Sequence, residues 1–270
     1  MTDPAPRKPE RVATHAVVVR TERLTPHMIR VVLGGEGLAG LDAGPYTDRY
    51  VKLLFPAAAG PEGRVPMRTY TIRSWDPAAR ELAIDFVAHG DEGLAGPWAS
   101  AARPGDAMSF VGPGGDYAPS GSYDWHLLVG DESALPAIAA ALEAMPEGAP
   151  VLAVIEVASA AEEQALTSPG ALDLRWVRRD EHPEHAPGEA LVEIVRSLAF
   201  LPGDPQVFLH GDAGFVRTLR RHLRLDRGVP VTALSASGYW RRGRTEEGWR
   251  AEKADWKAAV ARDEEPALRT

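Results

Sequence analysis

Residues 67–75 read MRTYTIRSW and concentrate polar recognition chemistry in a short space. The stretch alternates as a β-strand does, so Arg68, Tyr70 and Ile72 share one face and Thr69, Thr71 and Arg73 the other. Two guanidiniums, a phenol and two hydroxyls are too polar a set for a plain buried strand. They suit a strand end that receives a flat, anionic ligand. Arg clamps phosphate bidentately, a Tyr ring lies along an aromatic system, and Thr serves a ring nitrogen. The competing reading is a half-exposed barrel strand with its Tyr in the core and its Arg side chains in solvent.

Further stretches carry ligand chemistry. Residues 87–99, VAHGDEGLAGPWA, read as a strand ending at His89, a glycine-rich turn and a short helix bearing Trp98. Gly90 and Gly93 let backbone amides approach a ligand, and a helix start favours phosphate. An ordinary turn with His89 at the surface is the alternative. Residues 130–137, GDESALPA, end an apolar strand but lack G-x-G-x-x-G, so they are not a classical Rossmann fingerprint. Asp131 or Ser133 is expected to cap the following helix, while Asp131 and Glu132 would repel a pyrophosphate placed directly on it. A second strand end, 209–214 (LHGDAG), completes the crevice in which open α/β sheets bind ligands. Residues 238–243, GYWRRG, set paired aromatics beside paired arginines, which suits a flat anionic partner or, equally, a loop anchored by Trp240. Residues 112–115, GPGG, precede no helix and read as an exit loop of the first domain, not a dinucleotide loop.

The elements that must position these groups fall into two kinds. Short strands at 12–20, 28–34, 49–55, 67–73, 81–87 and 107–110, broken by Gly and Pro turns, predict a barrel or sandwich. After residue 123 apolar strands alternate with helices: strands at 125–129, 151–157, 172–177, 206–210 and 231–235, and helices over 133–145, 189–198 and 215–225. That rhythm predicts a mostly parallel sheet covered by helices. The expected division is a polar tail (1–11), a β-barrel (12–121), an α/β domain (122–236) and a C-terminal turn and helix (237–270). Trp249, Trp256 and Val260 share one face of that helix, which reads as a docking face.

Composition narrows the function classes. The 270 residues are 44% hydrophobic and 25% charged, as in globular proteins, and no apolar run approaches the ~20 residues of a membrane span. The N-terminal MTDPAPRKPE has no apolar core, so it reads as a polar tail and not a signal peptide. With no cysteine, the chain holds no disulfide, thiolate metal site or cysteine-ligated cluster, and redox work would need an organic cofactor. A net charge of −8 argues against nucleic-acid binding and requires any anion site to gather its positive charge locally.

Taken in order, these segments resemble the siderophore-interacting proteins, FAD-dependent reductases of ferric siderophores within the ferredoxin–NADP reductase superfamily. Residues 68–73 resemble R-x-Y-T-x-R, 89–98 H-G-x-x-G-x-A-x-x-W, 130–137 G-D-E-[ST]-A-L-P-A, 211–213 a G-E-A turn, and 238–243 G-Y-W-R-x-G. The resemblance implies a flavin-binding antiparallel β-barrel followed by a mostly parallel α/β nicotinamide-nucleotide domain. It implies that Arg68 reaches the FAD phosphates, that Tyr70 packs on the isoalloxazine and that Thr71 hydrogen-bonds near N5. It also implies that Arg73, Val87, His89, Gly90, Gly93, Ala95 and Trp98 belong to the flavin site. Gly130, Asp131, Glu132, Ser133, Gly211, Asp212 and Ala213 are implied beneath the nicotinamide nucleotide, with Tyr239 and Trp240 near nicotinamide or substrate. Lys52, Arg241 and Arg242 are implied to meet an anionic ferric siderophore, with Lys52 simply reaching solvent as the alternative. Leu94 replaces a frequent proline, Gly114 replaces a basic residue of some relatives, and His210 and Asp212 are variants of the turn.

The implied activity is NADPH- or NADH-dependent reduction of a ferric siderophore through FAD, releasing Fe(II) in the cytoplasm from a monomeric protein. No residue is assigned acid–base work; the site residues position. A flavin reductase, an electron donor to a protein partner, and a siderophore-binding module without activity are the alternatives. Nicotinamide preference stays open between Glu156, which suits a ribose diol, and Arg175, Arg178 and Arg179, which suit a phosphate. Arg217, Arg220, Arg221 and Arg224 read as a solvated helix face, and His182 and His185 in HPEH as a poor metal site.

Overall fold

The computed structural model describes residues 12–59, 63, 65–88 and 93–264. Strands β1 (Thr14–Thr25), β2 (Met28–Gly34), β3 (Tyr50–Leu54), β4 (Met67–Thr71), β5 (Ser74–Asp76), β6 (Glu81–Val87) and β7 (Ala107–Gly114) form an antiparallel sheet in the order β4-β3-β7-β1-β2-β6-β5. The two strands at its ends are consecutive in the chain, and Arg73 N–H donates to Ala83 O across 2.9 Å, so the sheet curls until its edges meet. Curling encloses Val18, Val51, Leu53, Ile84 and Phe110. Helix α1 (Ala95–Ala101) plugs one end, with Trp98 against Phe86 at 5.6 Å between centroids.

The second sheet is parallel throughout, in the order β10-β9-β8-β11-β12, from β8 (Trp125–Gly130), β9 (Pro150–Val157), β10 (Ala171–Arg178), β11 (Pro205–Asp212) and β12 (Leu234–Trp240). Every residue of β8 is buried, as a central strand covered on both faces requires. Helix α2 (Leu135–Glu143) covers one face together with Met28 and Tyr117 from the barrel side. Helices α3 (Glu189–Ser197), α4 (Ala213–Arg221) and α5 (Glu246–Glu264) cover the other. Successive strands are added outward in one direction from β8 and in the other from β11, so the crevice for a ligand opens at the carboxyl ends of these two strands.

Several expectations need correction. The final strand begins at Leu234, after a 3₁₀ turn at Val231–Ala233, and it carries Gly238, Tyr239 and Trp240 within it, where a turn was expected. Gly112 to Gly114 extend β7 and are not a separate loop. Helix α2 starts only at Leu135 and has no side-chain cap; Asp131 instead accepts from Ser133 N in the turn before it. The arginine face of α4 is not simply solvated. Arg220 pairs with Glu264, and Arg224 donates to Val229 O in a largely buried position, because α5 lies across that face. No helix among the described residues is long and apolar enough to cross a membrane.

Candidate functional site

Strand β4 stands at one end of the strand order, with Thr69 exposed and Arg68 and Tyr70 half-buried. Pairing with β3 sets Lys52 opposite Thr69 and Val51 opposite Tyr70. The Arg68 guanidinium donates to Met67 O at 3.1 Å and holds the Glu247 carboxylate at 2.7 Å; its own side chain is 13% exposed and that of Glu247 60%. Tyr70 lies on Phe86 with centroids 4.4 Å apart. Burial pushes its phenol pKa well up, Glu246 adds to the rise and Arg68 opposes it, so the ring stays neutral. The strand ends at Thr71, and Ile72 turns fully into the core. Arg73, expected at the flavin, points to the second domain and pairs with Glu143 at the end of α2. Val87 ends β6, Ala95 is buried in α1, and Gly93 needs its φ of +84° at the turn into that helix. His89 and Gly90 lie outside the described residues.

Across the cleft, Asp131 ties three strand ends together. One carboxylate oxygen accepts from Ser133 N at 2.9 Å and Ser133 Oγ at 2.5 Å; the other accepts from Asp212 N at 2.9 Å and Trp240 Nε1 at 2.8 Å. Burial raises the Asp131 pKa, and the hydrogen bonds from Ser133 and Trp240 work against that rise. Gly211 has a φ of +139°, and a Cβ there would stand 2.7 Å from Asp131 Oδ2, so the knot itself demands glycine. A Cβ on Gly130 would meet Ala134 at 2.6 Å and His210 O at 2.9 Å, so the turn after β8 closes directly over its strand. Asp212 caps α4 through Gly214 N at 2.8 Å and holds Arg242 N at 2.9 Å. Ala213 is buried at the helix start.

Tyr239 joins the two halves. It packs in the cluster that holds Met28 and Tyr117 from the barrel side; burial raises its phenol pKa, and the Thr71 side chain opposes the rise. Behind it, His210 stacks on Phe208 at 3.9 Å, meets Tyr239 edge-on at 4.9 Å, and contacts Ser235 Oγ at 2.9 Å. Burial, aided by Lys253, pushes the His210 pKa down to about 3, so this imidazole is neutral at physiological pH.

The cations fare differently. Arg241 pairs with Glu252 at 3.0 Å, and Arg242 donates to Pro187 O at 2.9 Å. Lys253, which no motif pointed to, donates to Gly238 O at 2.9 Å; burial lowers its pKa, and the charges of Lys257 and Lys52 lower it further. Glu132 pairs with Arg179, which also reaches Glu156 at 3.3 Å. Glu156 is buried and receives Gly188 N at 2.8 Å, so its carboxylate is turned into the fold and not toward a ribose. Arg175 and Arg178 pair with Asp173 and with Glu163 and Glu181.

An anion clamp, an aromatic face and a hydroxyl thus stand on neighbouring positions of one strand. Glu247 already shows that Arg68 accepts an anion, and its exposure makes it displaceable. These residues fit a flavin dinucleotide. The family model of the siderophore-interacting FAD-binding domain matches residues 17–67 and 58–117, and that of the siderophore-interacting protein matches 123–243. The chain belongs to the siderophore-interacting proteins.

An uncharacterized protein of Mycobacterium tuberculosis is 46% identical over 276 residues, spanning 92% of this chain and 95% of its own. The NADPH-dependent ferric-chelate reductase of Escherichia coli is 31% identical over 258 residues, spanning 87% and 97%. The crystal structure of the siderophore-interacting protein SipS from Aeromonas hydrophila superposes with a TM-score of 0.81 at 32% identity, spanning 92% of this chain and 99% of that one. These matches bear out the family, the barrel-then-α/β architecture with its C-terminal helix, and FAD as the cofactor of this siderophore-interacting protein. Motif reading missed Glu246, Glu247 and Lys253. Their only sequence signal was their place on an amphipathic helix whose Trp face fixes which side they occupy.

Proposed function

We propose that this siderophore-interacting protein is an FAD-dependent NAD(P)H:ferric-siderophore reductase. The observation that carries the reading is that Arg68, on the flavin strand, contacts Glu247 of α5, the helix that follows the strand end bearing Tyr239 and Trp240. Residues that would hold flavin and residues that would border nicotinamide thus stand on neighbouring elements, and hydride transfer needs such proximity. Bound FAD supplies the conversion between a two-electron hydride donor and one-electron acceptors, so one NAD(P)H reduces two Fe(III).

The chain's own part is placement. Arg68 holds phosphate, Tyr70 supports the ring system as a neutral phenol, and Thr71 orients its polar edge. Asp131 sets the positions of Asp212 and Trp240, which would border the nicotinamide end. Lys52, Arg241 and Arg242 would meet the anionic chelate, and Fe(II), softer than Fe(III), is held less tightly by hard oxygen donors. The E. coli relative, an NADPH-dependent ferric-chelate reductase, supports NADPH as donor. With Glu156 turned inward, Arg179 and its neighbours are the better candidates for a nucleotide phosphate. We place the reaction in the cytoplasm, where nicotinamide nucleotides are available.

Anaerobic stopped-flow tests this. The flavin-loaded protein is mixed with NADPH or NADH, then with ferric siderophores and an Fe(II) trap. Flavin bleaching followed by siderophore-dependent reoxidation is expected. Bleaching without reoxidation would point to a protein acceptor, and no bleaching with either nucleotide would sink the nicotinamide site.

A further inference from the structure

Outside the cleft, the loop between β10 and α3 gathers a compact set of metal-ligating groups. Its sequence is His182-Pro183-Glu184-His185. Pro183 occupies the second position of a tight turn closed by His185 N donating to His182 O at 3.0 Å. The turn carries both imidazoles to one side, with ring centroids 6.0 Å apart, and places Glu184 between them. Glu184 Oε1 lies 2.9 Å from His185 Nδ1 and 3.9 Å from His182 Nδ1, and one ligand atom from each of the three residues lies within 4.8 Å of the others. Ligands of a tetrahedral zinc ion stand roughly 3.4 Å apart, given bonds of ~2.0–2.2 Å. The observed spacings bracket that value.

A second feature distinguishes this set from a chance ion-pair cluster. The other nitrogen of His185, Nε2, faces Glu193 Oε2 at 3.2 Å, from the second turn of α3. A carboxylate on the far nitrogen holds a ligating imidazole in one tautomer and orientation, the arrangement found behind metal-bound histidines. We propose that His182, Glu184 and His185 bind a divalent first-row transition-metal ion, with Glu193 orienting His185. Two imidazoles and one carboxylate suit Zn(II), Fe(II) or Co(II), leaving a position for water. The site is unrelated to the flavin chemistry, but it is not remote from the crevice. Pro187 O receives Arg242, and Gly188 N is held by Glu156, so an ion here would pin a loop that borders the nucleotide site.

The test uses tag-free, chelator-treated, FAD-loaded full-length protein titrated calorimetrically with Zn(II), with zinc-edge X-ray absorption on the saturated sample. Saturable binding of one ion per chain, with two imidazoles in its shell, is expected. His182→Ala and His185→Ala should each weaken binding by more than the ~10–100-fold expected for Glu193→Gln. Retained flavin and unchanged circular dichroism would show that the variants fold. No saturable binding, a shell without imidazole, or undiminished affinity in the histidine variants would overturn the proposal. An unchanged affinity in Glu193→Gln would remove Glu193 from it.

Discussion

Replacing Arg68 by alanine removes a guanidinium that contacts Glu247 at 2.7 Å here and that the flavin phosphates would claim on binding. The two partners are not of equal weight. Glu247 is 60% exposed, and ion pairs of that kind contribute ~0.2–1 kcal/mol. A hydrogen bond from a charged group to phosphate contributes more, ~1.5–3 kcal/mol, and the Arg68 side chain that would make it is only 13% exposed. At about 1.4 kcal/mol per tenfold, Arg68→Ala should weaken FAD binding ~10- to 150-fold while lowering the stability of the flavin-free protein by less than ~1 kcal/mol. Glu247→Gln keeps the shape and removes the competing charge, so FAD should bind ~1.4- to 5-fold more tightly. Titration of flavin-free protein with FAD, followed by flavin fluorescence, reads both values; thermal unfolding without FAD reads the stability. Unchanged affinity in Arg68→Ala would refute the clamp. Weaker binding in Glu247→Gln would refute the exchange of partners.

Other perturbations separate local roles. Asp131→Ala leaves Ser133 N, Asp212 N and Trp240 Nε1 without their acceptor and should cost ~2–5 kcal/mol in denaturant unfolding, with slower bleaching by nicotinamide. Gly238→Ala would place a Cβ 2.8 Å from Ala213 Cβ and 3.0 Å from Trp249 Cζ2; overpacking of ~1–3 kcal/mol should appear as a lower melting temperature. Burial would raise the Glu162 pKa, but hydrogen bonds from Thr25 and His27 outweigh it and hold the carboxylate low. Its stabilising contribution is therefore complete above the unfolded value of about 4.3 and is lost as pH falls through the depressed folded value. Glu162→Gln should flatten the acid side of the stability–pH curve, and an unaltered slope would remove Glu162 as the cause.

What the sequence disclosed follows from the range over which each signal acts. Strands β8 and β9 are apolar runs covered on both faces, so residue type alone marks them. Trp249, Trp256 and Val260 mark their own buried face by helical spacing. Strand β5 has three residues, too few for alternation to register. Strand β12 escaped because Gly238 looks like a turn residue, whereas its lack of a side chain is what lets the strand lie against Ala213 and Trp249. The α4 arginines were misread because α4 alone does not reveal that α5 brings Asp263 and Glu264 onto them. At the site, residue types named the chemistry but not the partners: Arg73 meets Glu143, Glu156 meets Gly188, and Asp131 serves the strand ends themselves. In HPEH the two histidines are visible in the sequence, but Glu193 comes from the next helix and only folding brings it in.

The charge problem posed by a chain of net charge −8 is resolved by proximity. Long-range repulsion of an anionic chelate is screened beyond ~8 Å at physiological salt, so the groups within that distance decide. There the α5 helix carries Lys253 into the field of Lys52 of the barrel; burial lowers the Lys253 pKa first, then Lys257, while Glu246 opposes the fall and Lys52 adds to it. Like charges held together cost free energy that an anion between them would return. Lys253 also donates to Gly238 O, in the strand that carries Tyr239 and Trp240. The same lysine thus adds a positive charge beside the strand end where a substrate would lie, against the Glu246 and Glu247 carboxylates that the same helix brings to Tyr70 and Arg68.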